Sequence, residues 1–188
     1  MAIQSTMLAL GTRAPPFRLP DAASGKPVGL TDFQGSQALL VAFICNHCPY
    51  VKYILDGFIA FAREYQPRGL AVVAISSNDV AAYPADSPDE MAKLARAKEF
   101  TFPYLYDESQ AVARAYEAAC TPDFYLFDGE RRLIYRGRFD GSSPGNRQPV
   151  TGAELRAAAD AALSGSPVAS AQMPSIGCGI KWKAAARP

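Results

Sequence analysis

Ala38-Leu39-Leu40-Val41-Ala42-Phe43-Ile44-Cys45-Asn46-His47-Cys48-Pro49-Tyr50-Val51 decides the reading of this chain. Its first seven residues are apolar without a break, the pattern of a strand with both faces covered, as in a parallel sheet packed between helices. A helix follows with no linker. Val51, Ile54, Leu55, Phe58, Ala62 and Tyr65 recur at steps of three and four, while Lys52, Asp56, Arg63 and Glu64 fall mainly on the other side. Pro49 has no backbone N–H and fits only a first helical turn, which sets the helix start beside Cys48.

Cys45 and Cys48 are thereby placed at a helix N-terminus, where free amides and the positive end of the dipole favour thiolate over thiol. Cys45 is expected to be the more acidic. His47, the only histidine, can add positive charge or a donor to the Cys45 sulfur, or can be a solvated loop residue. Residues three apart in a first turn lie about 5 to 6 Å from one another, within reach of a disulfide. A structural zinc site of Cys45, Cys48, Cys120 and Cys178 is the competing reading, as are inert buried thiols. Zinc ribbons bring their second ligand pair close together, whereas Cys120 and Cys178 are single and far apart.

The 188 residues, 49% hydrophobic, suit one core. A net charge of +1 and the lack of a Lys/Arg run argue against nucleic acid or an anionic membrane as partner. No stretch reads as a bilayer span, and Met1 to Leu10 lacks the basic start of a secretory signal, so a cytoplasmic location is expected. There, four cysteines read as catalytic or free thiols. No cofactor is called for.

Residues 11 to 37, rich in Pro and Gly, predict a small hairpin or extended arm. Leu70 to Ile75 reads as a second buried strand, reached by a right-handed parallel crossover. Ser87-Pro88-Asp89-Glu90 opens a helix running to about Lys98, and Asp107 to Ala118 predicts another. Phe124 to Phe127 and Leu133 to Tyr135 form a hairpin across Asp128-Gly129-Glu130. Thr151-Gly152-Ala153-Glu154 has the form of a capping box opening a last helix that Gly165 ends. Asp140, Arg136 and Arg138 read as solvated charges.

This order resembles the thioredoxin fold, an α/β architecture with a central mixed sheet flanked by helices, here with an N-terminal extension and a helical insertion before the hairpin. Cys45 and Cys48 match that family's active-site pair, and Thr121-Pro122 matches its cis-proline loop. The resemblance implies that Pro122 packs against the active-site disulfide and that Thr121 and Pro122 bind an extended substrate segment. Ala14-Pro15-Pro16-Phe17 and Leu30 to Gly35 look like the opening of the redoxin (AhpC/TSA-type) branch, which includes peroxiredoxins. Cys45 to Val51 with Ile176-Gly177-Cys178-Gly179-Ile180-Lys181-Trp182 resembles a small bacterial group with poorly defined substrates. The fold resemblance spans residues 11 to 165. The domain is expected over 1–165 and an irregular tail, packed on or near it, over 166–188.

Departures from thioredoxin carry information. Ile44 and Leu39 stand where it has Trp and a buried acid, so the usual proton acceptor for the second thiol is missing and a water or His47 must serve. His before the second cysteine resembles protein disulfide isomerase and the bacterial oxidant DsbA, implying a potential above thioredoxin's. The expected activity is thiol-disulfide oxidoreduction on a protein or small-molecule thiol or disulfide, with Cys45 as nucleophile and Cys48 as resolving thiol. Cys178 and Cys120 are candidates for further redox thiols, set against an anchored tail and core filler respectively. Peroxide reduction is the alternative, weakened because Val41 to Ile44 lack the upstream Pro and Thr or Ser that peroxiredoxins use. A metal-binding module of Cys45, Cys48 and His47 is a third reading, weakened because a tight turn aims all three at one ion only with difficulty. Oligomeric state is not legible.

Overall fold

Ala38 to Phe43 is wholly buried because both of its faces are covered. The computed structural model describes residues 2–184; Met1 and 185–188 of the expected tail lie outside them. Among the described residues the strands and α-helices are, in order, β1 (Ala2–Gln4), β2 (Arg18–Pro20), β3 (Pro27–Gly29), β4 (Ala38–Phe43), α1 (Pro49–Tyr65), β5 (Leu70–Ser76), α2 (Pro88–Ala97), β6 (Tyr104–Tyr106), α3 (Ala111–Ala115), β7 (Cys120–Thr121), β8 (Asp123–Phe127), β9 (Leu133–Gly137), α4 (Ala153–Ser164) and β10 (Ile176–Gly179).

The main sheet runs β6-β5-β4-β8-β9. β4 pairs in parallel with β5 and β5 with β6, whereas β4 with β8 and β8 with β9 are antiparallel. Side chains alternate across a strand, so Leu40 and Ala42 join one core cluster with α1, while Leu39, Val41 and Phe43 join the other with Val112 and Tyr116. Helix α1 buries Val51, Ile54, Leu55, Phe58, Ala62 and Tyr65, the stripe its spacing predicts. Phe58 meets Phe124 edge-on at 5.4 Å, which locks the helix that starts at the cysteines to the strand that follows Pro122. The mixed sheet flanked by helices is a thioredoxin fold. The arm forms the β2/β3 hairpin.

Three local expectations are corrected. The helix predicted over Asp107 to Ala118 is confined to Ala111–Ala115, because the Asp107 carboxylate accepts from the Ala113 amide and the Ser77 hydroxyl, both at 2.9 Å, and Gln110 turns left-handed with φ 62°. The capping box of α4 does not form. Asp140 accepts from the Thr151 and Gly152 amides at 2.7 and 2.5 Å, and Glu154 turns away to a two-pronged pair with Arg138. Arg138 and buried Asp140 thus hold α4 in place and are not solvated charges. The tail is not irregular throughout, because β10 joins a second sheet, β1-β10-β7, with Cys178 opposite both Ala2 and Thr121. Two of its four residues are glycine, which erased any strand periodicity.

The tail is held on both sides of β10. Ser5 and Ser175 exchange hydrogen bonds at 3.0 Å, the Lys181 amide donates to Asn78 Oδ1 at 2.8 Å, and the Lys181 carbonyl accepts from the Asp79 amide at 2.8 Å and from Gln110 Nε2 at 2.9 Å. A Cβ at Gly177 would stand 2.0 Å from the Thr121 carbonyl oxygen, so only glycine fits. Gly177→Ala is therefore expected to detach β10 at a cost of about 1–3 kcal/mol, read as faster proteolytic cleavage within 166–182 while far-UV circular dichroism stays unchanged. Protease resistance equal to the wild type would contradict a docked strand.

Candidate active site

The turn from Cys45 to Cys48 lies between the end of β4 and the first turn of α1. Cys48 is the N-cap residue, with Pro49 at the first helical position. Both cysteines are buried and free of disulfide. They meet the same residue, the last of β7: Cys45 Sγ lies 3.3 Å from Thr121 Oγ1, and Cys48 Sγ lies 3.2 Å from the Thr121 carbonyl oxygen. The Thr121-Pro122 peptide bond is cis. Cys45, His47, Cys48, Thr121 and Pro122, separated by some 70 positions in the chain, are thus brought together.

A residue that sequence reading passed over organises the turn. Asp86, fully buried, accepts on Oδ1 from the amides of Asn46 at 2.8 Å and His47 at 3.1 Å, and on Oδ2 from Asn78 Nδ2 at 2.8 Å and His47 Nδ1 at 2.5 Å. One position before a Ser-Pro helix start it looks like a solvated charge, and nothing in its neighbours signals burial. The His47 ring stacks on Tyr83 at 5.1 Å, and Lys181 Nζ lies 5.4 Å from the same Tyr83 ring. His47 Nδ1 is 3.9 Å from Cys45 Sγ and already committed to Asp86, so the expected direct bond from His47 to that sulfur is replaced by a weaker, longer approach.

The ionisations of the two thiols are linked. Cys48 is pushed down to about 4, first by the hydrogen bond from Cys45, then by the Cys178 thiol and the amides of Val51 and Cys178, against the cost of burial. Cys45 is pushed up by the same hydrogen bond, by burial and by the Asp86 carboxylate, with the Thr121 hydroxyl opposing. This reverses the expectation that Cys45 is the more acidic. The first cause is the hydrogen bond within the pair and the second is burial of Cys45; Asp86, which holds the Asn46 and His47 amides, adds a negative charge nearby.

The other two cysteines differ. Cys120 is fully buried in β7, and burial followed by the neighbouring Asp123 raises its thiol. Cys178, half-buried in β10, is pushed up to about 11 by burial and by its hydrogen bond to Cys48. Asp123, next to Pro122, is pushed up to about 7 by burial against the Tyr125 hydroxyl at 2.9 Å, and its Oδ1 has no hydrogen-bond partner. Tyr50, Ile54, Pro122, Ser142, Ser175 and Ile176 line a cleft of about 190 Å³ beside the cis-proline loop. Among the described residues, ligand atoms of Cys45, His47 and Asp86 lie within 4.8 Å of one another. The 2.5 Å between His47 and Asp86 is a hydrogen-bond spacing, since two ligands about 2.0 Å from a tetrahedral ion stand roughly 3.3 Å apart. No helix among the described residues is long and apolar enough to cross a membrane.

Two sulfurs at a helix start, held against a cis-proline loop beside a buried carboxylate, define a redox protein of the thioredoxin fold. The chain belongs to the AhpC/TSA family, whose model matches residues 10–136. It is 51% identical to an uncharacterized conserved protein from Geobacillus kaustophilus, with a TM-score of 0.97 over 99% of this chain and 98% of that one. A hypothetical protein from Sinorhizobium meliloti 1021 is 54% identical, with a TM-score of 0.95 over 97% and 99%. Peroxiredoxin Bcp from Escherichia coli K12 is 28% identical over 136 residues, 71% of this chain and 81% of that protein.

Two titrations follow from this electrostatics. The reduced protein should show thiolate absorbance at 240 nm that persists below neutral pH, fades as pH falls through about 4 and is missing in Cys48→Ala; a first rise near pH 9 would contradict linked ionisations. The folded Asp123 carboxyl holds its proton to about pH 7, whereas the unfolded one releases it near 3.8. Its contribution to stability is therefore full below about pH 4 and is lost as pH rises through 7, a change on the order of 4 kcal/mol. Asp123→Asn should gain stability relative to wild type across that window in urea unfolding, and a constant difference would refute the assignment.

Proposed function

We propose that the protein is a thiol-disulfide oxidoreductase in which Cys45 and Cys48 cycle between dithiol and disulfide. The observation that carries this reading is the convergence of both sulfurs on Thr121, at 3.3 and 3.2 Å, beside a cis proline. Cys45 is the attacking thiol because it lies on the side of partly exposed His47, while Cys48 is walled in by Thr121 and Cys178.

As Cys45 attacks a substrate disulfide, its proton passes across the shared hydrogen bond to the Cys48 thiolate, which acts as the base that the missing upstream acid would otherwise supply. One substrate sulfur leaves as thiolate while the other is bound to Cys45. The leaving thiolate takes the proton back from Cys48, and the Cys48 thiolate attacks the Cys45 sulfur to release the second substrate sulfur as thiolate. The Cys45–Cys48 disulfide remains, and the substrate has gained two electrons and the pair's one proton, with the second proton taken from water. Thr121 Oγ1 steadies Cys45 during the attack. Peroxide reduction by the same thiol is the second reading, favoured by the relative named a peroxiredoxin.

Cys48→Ser is expected to trap a mixed disulfide through Cys45 with glutathione disulfide, formed about tenfold more slowly for want of the base and seen by intact mass and peptide mapping. No adduct, or an adduct on Cys120, would overturn the assignment. Consumption of hydrogen peroxide by the reduced wild type, at a rate exceeding that with glutathione disulfide, would favour the second reading.

A further inference from the structure

β10 lays Cys178 beside the redox pair by backbone pairing. Its register partner on β7 is Thr121, the residue whose carbonyl oxygen is 3.2 Å from Cys48 Sγ. Directly opposite residues of an antiparallel pair have α-carbons about 4.5 to 5.5 Å apart, so the strand delivers Cys178 into the contact shell of Cys48. The Cys178 thiol and amide both act to lower the Cys48 thiol, and Cys48 in turn raises Cys178. Cys178 also packs against the α1 side of the core, the side that holds Cys45 and Cys48.

The placement is held rigidly. Gly177 and Gly179 flank Cys178, and a Cβ at either would meet a neighbour, the Thr121 carbonyl oxygen at 2.0 Å and Ile3 Cδ1 at 3.2 Å. Hydrogen bonds at Ser175 on one side and at Ile180 and Lys181 on the other pin the strand ends. Of the four cysteines, Cys120 faces away, with its sulfur 4.0 Å from the carbonyl oxygens of Pro122 and Ser175.

We propose that Cys178 is a third redox thiol, which attacks the Cys48 sulfur of the Cys45–Cys48 disulfide and converts it to a Cys48–Cys178 disulfide. This rests on the oxidoreductase reading, because that cycle supplies the disulfide. The S–S bond between Cys45 and Cys48 breaks as the bond between Cys48 and Cys178 forms. Cys45 leaves as thiolate and takes the proton given up by Cys178. No net oxidation or reduction occurs; the two oxidising equivalents move one sulfur along, and Cys45 is again a free thiol facing the substrate side. The half-buried position of Cys178 makes the new disulfide the more accessible of the two to an external dithiol or glutathione. Cys178 is thereby the exit for oxidising equivalents that enter at Cys45.

The reduced full-length protein, given one equivalent of glutathione disulfide and quenched in acid at increasing times, is mapped after alkylation. The Cys45–Cys48 bridge should form first and decline as Cys48–Cys178 rises, with Cys120 alkylated throughout. Cys45→Ser and Cys45→Ala, oxidised with diamide, should each lose two of their three remaining thiols to an intramolecular Cys48–Cys178 bridge. If neither variant forms that bridge, or if it pairs through Cys120, the third-thiol proposal fails while a wild-type Cys45–Cys48 bridge leaves the oxidoreductase reading standing. If the wild type forms no Cys45–Cys48 bridge at all, the failure lies with that underlying reading.

Discussion

A buried carboxylate must be surrounded by donors, and here that requirement assembles the site. Asp86 collects the amides of Asn46 and His47, the ring of His47 and the side chain of Asn78, so that the turn carrying the cysteines, the segment beyond β5 and the lead-in to α2 are tied at one point. The negative charge of Asp86 stands near Cys45 and adds to the pair's own hydrogen bond and to burial in keeping the proton on that sulfur. The backbone of the motif is thus held by a residue nearly forty positions away.

What could be read in the sequence and what could not divides along the range of the interaction. The unbroken run Ala38 to Phe43, the stripe from Val51 to Tyr65 and the proline at the head of α1 are local signals, and the structure reproduces them closely. Thr121-Pro122 was legible only through family resemblance, as two residues carry no period. Strands β1 and β10 were missed because each exists only through the other and through β7, and because Gly177 and Gly179 remove the alternation that would betray a strand. The short α3 shows the same limit: its twelve-residue pattern is overruled by one carboxylate, Asp107, whose bonds to Ser77 and Ala113 reserve the segment before it for a different path. Asp86 carried no local signal at all.

The sulfurs form a graded series. Cys45 keeps its proton, Cys48 gives its proton up, Cys178 is poised beside it at the margin of the fold, and Cys120 is sealed in the core. Helix position alone would rank Cys45 and Cys48 alike; the neighbours that each sulfur acquires from distant segments separate them. Leu39 stands in place of thioredoxin's acid, and for the proposed attack by Cys45 the adjacent Cys48 thiolate is the base.

The occupied edge at Thr121 has a thermodynamic side. An extended polypeptide that sought to pair there would compete with a strand tethered to the same molecule, whose effective concentration is about millimolar for a short flexible tether. It would also have to leave the Lys181 amide, the Thr121 backbone and the Ser5–Ser175 exchange unpaired. A small disulfide or peroxide pays neither toll. For the proposed oxidoreductase, the docked tail would act as a size filter: it would handicap protein substrates by the free energy of its own displacement and leave small ones judged only by how well they reach Cys45.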